Sequence, residues 1–134
     1  MKAEYNPHSI TDARRYIANA RKLLRESAQK EDDLYKDTKY VKMAGHTAYI
    51  GVLEAFDTLF AHKSKARKSV DWYKLQLVKT DKKLLDNFNA VYASLHLAMS
   101  YDGNPSVAVA QDGLARAETI IDWVETRLAT SGQA

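Results

Sequence analysis

Only five glycines and two prolines occur in 134 residues, and between them apolar side chains recur at intervals of three and four. That spacing gathers them on one face of an α-helix, and no stretch alternates as a half-buried strand would. With so few breakers, the number of helices is set by a handful of positions. Ser9, with Asp12 three residues on, resembles a capping box in which Asp replaces the usual Glu. Ile10, Ala13, Ile17, Ala20 and Leu24 then share one face of helix one, while Arg14, Arg15, Arg21, Lys22 and Arg25 take the other. The polar run QKEDD at 29–33 ends that helix. Helix two is expected from about Thr38 to about His62.

Helix three is expected from near Ser69, with Val70, Tyr73, Leu77, Leu84, Phe88, Val91, Leu95 and Met99 in one continuing phase. A single helix of that extent would be roughly 45–50 Å long. The stripe lapses at Thr80 and Asp81, where apolar residues were due. Either the helix breaks there or its first part projects beyond the bundle; a break is favoured. Tyr101-Asp102-Gly103-Asn104-Pro105 is a stop and restart: Gly103 suits a left-handed helix end, Asn104 an N-cap and Pro105 the first helical position. Val107, Ala110, Leu114, Ala117, Ile121, Val124 and Leu128 line the last helix. The expectation is all-α: an antiparallel four-helix up-and-down bundle in one domain over 1–134, with five helices if the third breaks near Thr80.

Composition narrows the functions open to such a bundle. There is no cysteine, which removes disulfides, thiolate chemistry and zinc-finger spacings. The start MKAEYNPHSI lacks the apolar core of a signal peptide. No run of about 18 apolar residues exists to span a membrane. A cytoplasmic location is the natural expectation. None of His8, His46, His62 and His96 follows a Glu by three residues, as di-metal bundles require, and there is no His-x-x-x-His pair. No phosphate-cradling glycine loop or Gly-x-Ser-x-Gly elbow occurs. No catalytic residue, cofactor or metal is therefore nominated.

Net charge is +3, but unevenly laid out. Residues 1–101 carry 18 Lys/Arg against 12 Asp/Glu, and residues 102–134 carry two against five. The simple account is an acidic last helix packed on a basic first one. The sharper account is a basic surface for an anionic partner such as nucleic acid, built from Arg14, Arg21, Arg25, Lys63, Lys65, Arg67 and Lys68.

Residues 44–51 read AGHTAYIG. Ala44, Ala48, Gly51 and Ala55 line up as a stripe of small residues, which lets a neighbouring helix come close. Mid-helix glycine costs up to about 1 kcal/mol relative to alanine, and close packing is the simplest compensation. A second strip, Met43, His46, Ile50 and Leu53, lies on another side of the helix. An apolar strip outside the main core face usually marks another contact: self-association as a homodimer, or cover by the segment 69–79. Tyr16, Tyr49, Tyr73 and Tyr92 sit on or beside core stripes, either as ordinary buried rings or as the lining of a pocket between helices.

The segments DARRYIANARKLLRESA (12–28), GHTAYIGVLEAFDTLF (45–60) and AVYASLHLAMSYDG (90–103) resemble the small bacterial helical bundles grouped as HEPN-like domains, some of them families of unknown function. The resemblance covers most of the chain and rests on alanine, tyrosine and leucine spacing. It implies a helical bundle with a tendency to dimerise. Ribonuclease members carry an arginine, four to six residues, then a histidine, and no histidine here has an arginine at that distance before it. No catalytic residue carries over, which implies a non-catalytic or divergent member.

Overall fold

The structure, a computed structural model, describes residues 6–60 and 66–130. His62, Lys63 and Lys65 lie outside them. Helix α1 (Ile10–Lys22) runs on into a π-helical stretch, Leu23–Ala28. A two-residue hairpin follows, β1 (Lys30–Glu31) and β2 (Leu34–Tyr35), with Lys30 opposite Tyr35 and Glu31 opposite Leu34. Then come α2 (Thr38–Leu59), α3 (Val70–Val78), α4 (Lys82–Val91), a π-helical continuation of α4 at Tyr92–Tyr101, and α5 (Val107–Thr130).

The break near Thr80 is real. Asp81 caps α4 by accepting from the Leu84 N–H, and its own backbone N–H closes α3 on Leu77. A short polar side chain that satisfies orphan helix N–H groups starts a new helix where the apolar phase lapses. Ser9 likewise caps α1 through Asp12 N–H. The capping box does not close, however, because the Ser9 N–H is taken by Glu54. Gly103 adopts φ +65°, and the Gly103 and Asn104 N–H groups bond back to Met99 and Ala98. The restart is later than the sequence suggests. The Asn104 side chain accepts from Ser106 N–H, and Ser106 in turn accepts from Val109 N–H, so α5 begins at Val107 rather than Pro105. Pro105 is held outside the helix because its carbonyl accepts from Tyr35 N–H in the hairpin.

Contacts fix the order of the bundle. The start of α1 meets the end of α2 through Ser9 and Glu54, and Ala28 meets Asp37 at the other end. Phe56 packs edge-on against Phe88 at 5.4 Å, while Gly45 lies on Leu95 and Met99. Arg116 of α5 bonds Asn87 of α4. Arg14 of α1 bonds both Asp122 and Glu125 of α5, and Arg21 bonds Glu118. Each neighbouring pair is thus antiparallel, and α1, α2, α4 and α5 close an up-and-down bundle. Helix α3 seals its end, burying Tyr73 and Leu77.

The four stripes expected from the sequence meet in one core, whose middle is α2. Two glycines let its neighbours in. A Cβ on Gly51 would come within 2.9 Å of Tyr16 Cβ and 3.0 Å of the Ala13 carbonyl, on α1. A Cβ on Gly45 would lie 2.6 Å from both the Leu95 carbonyl and Met99 Cβ, on the π-helical segment. Backbone cannot swing aside as a side chain can. Gly45→Ala is therefore expected to destabilise the fold by about 1–3 kcal/mol through overpacking, read as a lower midpoint in urea with an unchanged slope.

Candidate functional site

Two acids, Glu54 and Asp57, stand three residues apart in the most apolar part of α2 and are buried. Isolated ionised carboxylates are costly there, so each needs donors. Glu54 Oε1 faces His8 Nδ1 at 2.8 Å and accepts from Arg67 at 3.0 Å. Glu54 Oε2 accepts from the Ser9 N–H at 2.8 Å. Asp57 Oδ2 accepts from the same Arg67 nitrogen at 2.9 Å, and Oδ1 accepts from the Tyr73 hydroxyl at 2.8 Å. Every carboxylate oxygen of the pair has a donor. The Nδ1–Glu54 contact places the histidine proton on Nδ1. Arg67 shares the same acceptor, and its Nη1 also lies 3.3 Å from His8 Nδ1.

Burial works to raise the Glu54 pKa, but the His8, Ser9 and Arg67 donors outweigh it and hold the group below its usual 4.5. Burial and the Asp57 carboxylate together push the Tyr73 hydroxyl well up, so it stays a neutral donor. The Arg67 guanidinium occupies the place between the carboxylates where a cation would otherwise sit. Among the described residues no group of three or more His, Asp or Glu is arranged to hold a metal ion. A cleft of about 220 Å³ opens beside the cluster, lined by Pro7, His8, Asp12, Tyr16, Glu54 and Arg67. With its oxygens already engaged, the cluster is built to clamp chain segments together rather than to pass protons outward.

The residues singled out from the sequence fall in several places. Of the basic set, Arg14 and Arg21 are spent on acids of α5, Arg25 pairs with Glu26, and Arg67 is drawn into the buried cluster. Lys68 Nζ lies over the Trp72 ring at 5.8 Å. The four tyrosines do not share one pocket. Tyr49 meets Tyr92 edge-on at 6.1 Å and stacks on His96 at 4.7 Å. Tyr73 sits in the carboxylate cluster and Tyr16 lies against Gly51. In the strip of α2, Leu53 is 5% exposed and belongs to the core, Ile50 is half-buried, and Met43 and His46 are exposed.

His46 opens onto an edge where α2 meets the π-helical segment. His96 stands there, its pKa lowered first by burial and then by His46, and its ring is 6.5 Å from Tyr101. Among the described residues the buried Tyr49 hydroxyl and His96 Nδ1 have no hydrogen-bond partner. Tyr101 is 73% exposed, Met43 44% and Leu97 40%. Met43 precedes His46 by three residues on α2, and Leu97 adjoins His96 on the Tyr92–Tyr101 segment.

A family model described as a domain of unknown function (DUF5618) matches residues 8–126. The chain belongs to that family. A solved protein of unknown function from Dyadobacter fermentans is similar to this DUF5618 chain at 53% identity, covering 89% of this chain and 94% of that one with a TM-score of 0.82. No curated protein matches. The stretch matched by the DUF5618 model begins at His8, so the buried cluster lies within it.

Glu54 and Asp57 match no catalytic or metal-binding sequence motif. Their signal is present: two acids at i and i+3 inside GVLEAFDTLF, where Thr58 is the one other polar side chain. Removing Arg67 leaves both carboxylates buried without their cation. Arg67→Ala is expected to cost roughly 3–5 kcal/mol, against less than about 1 kcal/mol for Arg14→Ala in its exposed pair, both by chemical denaturation. The sign of the pH dependence follows from Glu54. Its folded pKa lies below the unfolded one, so its contribution is complete above the unfolded value and is lost as pH falls through the folded value. Stability should fall on acidification below the usual glutamate range, and Glu54→Gln should flatten that limb of the stability–pH curve.

Proposed function

We propose that the protein is a non-enzymatic interaction module that binds a second copy of itself through the edge between α2 and the π-helical segment. The observation that carries this reading is the exposed set Met43, Leu97 and Tyr101 around His46 and His96. Exposed apolar side chains on facing segments of a small bundle favour a protein contact. The non-enzymatic part is supported by the saturation of the Glu54–Asp57 cluster. Leu53 and Ile50 narrow the contact on α2 to Met43 and His46. A HEPN-like relationship fits the bundle and the association, and brings no catalytic residue with it. The alternative, a nucleic-acid-binding basic face, has less support because Arg14, Arg21 and Arg67 already serve acids of the same chain.

Light scattering coupled to size exclusion tests this. A dimer is expected at low and at high salt, because an apolar contact is not screened. The double variant Met43→Glu, Tyr101→Glu should run as a monomer with unchanged helical circular dichroism. A wild-type chain that stays monomeric at its highest soluble concentration would sink the proposal.

A further inference from the structure

A second cleft lies on the opposite flank of the molecule, where the π-helical end of α1, the hairpin and the first turns of α5 meet. Its volume is about 580 Å³, within the range of small-molecule sites. Four cations line it, Arg21, Arg25, Lys30 and Lys36, and no carboxylate does. Arg21 is held from outside the lining by Glu118. Arg25 makes an exposed pair with its neighbour Glu26, an arrangement that costs little to break. Lys30 and Lys36 have no ion pair among the described residues. The apolar part of the wall is Leu24, Leu114 and the Tyr35 ring. Burial raises the Tyr35 pKa, with opposing effects from Gln111 and Arg21, so its phenol is a neutral polar group at the same wall.

The backbone around this cleft is unusual in two ways. The helix turns from α to π winding over Leu23–Ala28, and Gln29 then takes φ 54° and ψ 127°, outside the regions that non-glycine residues favour. Gln29 is held there from both sides: its N–H bonds Leu24 and its carbonyl accepts from Lys36 N–H. The hairpin that follows is anchored to the connection into α5, at the same end of the bundle, by Tyr35 N–H on Pro105 and Val107 N–H on Asp33. Strain that the surroundings maintain, and π winding within α-helices, both concentrate at functional positions. Here they carry Lys30 and Lys36 to the mouth that Arg21 and Arg25 already flank.

We infer that this cleft binds a small organic anion with at least two negative charges, as phosphate or carboxylate, on an apolar or planar body. The charged end meets the Arg25 guanidinium and the Lys30 and Lys36 ammonium groups, with Arg21, whose fork is turned to Glu118, adding its charge at the edge. The body lies on Leu24, Leu114 and Tyr35. This site is independent of the self-association edge, which lies between α2 and the π-helical end of α4.

Thermal shift and isothermal titration with four probes test the inference: naphthyl phosphate, naphthalene dicarboxylate, pyrophosphate and uncharged naphthol. Binding is expected for one or both charged aromatic probes, weaker binding for pyrophosphate and none for naphthol. The two aromatic arms separate a phosphate from a carboxylate preference. Amide shifts in nitrogen–proton spectra should centre on Gln29, Lys30, Lys36 and Gln111. The exposed double variant Lys30→Gln, Lys36→Gln should keep its own melting temperature and lose affinity at least about tenfold. Absence of binding by every charged probe overturns the inference. So does equal affinity in the variant, or shifts centred away from the cleft.

Discussion

Two negative charges placed in the apolar heart of α2 decide how the rest of the chain must come together. Glu54 and Asp57 cannot remain ionised in that environment without donors, and no other residue of α2 supplies them. The donors come instead from three other stretches: His8 and the Ser9 N–H ahead of α1, Arg67 after α2, and Tyr73 in α3. A buried ion pair is not in itself a strong source of stability, since desolvation offsets much of the attraction. Its effect is to make the alternatives worse. Any arrangement in which α3 or the N-terminal segment leaves the end of the bundle takes a donor from a buried carboxylate.

The same helix explains the tightness of the packing. Gly51 brings α1 close on one side and Gly45 brings the π-helical segment close on another. Gly113 does the equivalent on α5, where a Cβ would meet Ser94 Oγ at 2.7 Å. Large rings fill the space between these approaches, with Phe56, Phe88, Tyr49 and Tyr73 in a run of ring contacts. Close backbone approach and interlocked rings leave little freedom to slide one helix along another.

Charge on the outside follows a different logic. Three acids of α5, Glu118, Asp122 and Glu125, face Arg14 and Arg21 of α1, so part of the uneven charge of the sequence is an internal matching of two helices. That matching removes Arg14 and Arg21 from any broad basic face. Among what stays unmatched are the lysines of the hairpin beside a cleft, while the apolar edge lies on the opposite flank. The two features sit on separate elements, so association and ligand binding do not compete for the same side chains.

Much of this was legible from periodicity alone. The helical class, the four core stripes, the break near Thr80 and the left-handed Gly103 follow from local rules, because helix phase and capping depend on residues a few positions apart. The small-residue stripe of α2 was legible too, though Gly45 was not part of it; its partner, the Leu95–Met99 backbone, is some fifty residues away in the chain. The start of α5 was misread at Pro105 because a carbonyl was already committed to the hairpin, a contact no local rule contains. The π winding, the Gln29 strain and the joining of His8, Arg67 and Tyr73 to two acids of α2 likewise arise between segments distant in sequence. Sequence determined which faces must be buried, since hydrophobic spacing is a property of each helix by itself. Only the tertiary structure decided which charges would be paired and which left at the surface, since pairing depends on what the folded chain brings within hydrogen-bond reach.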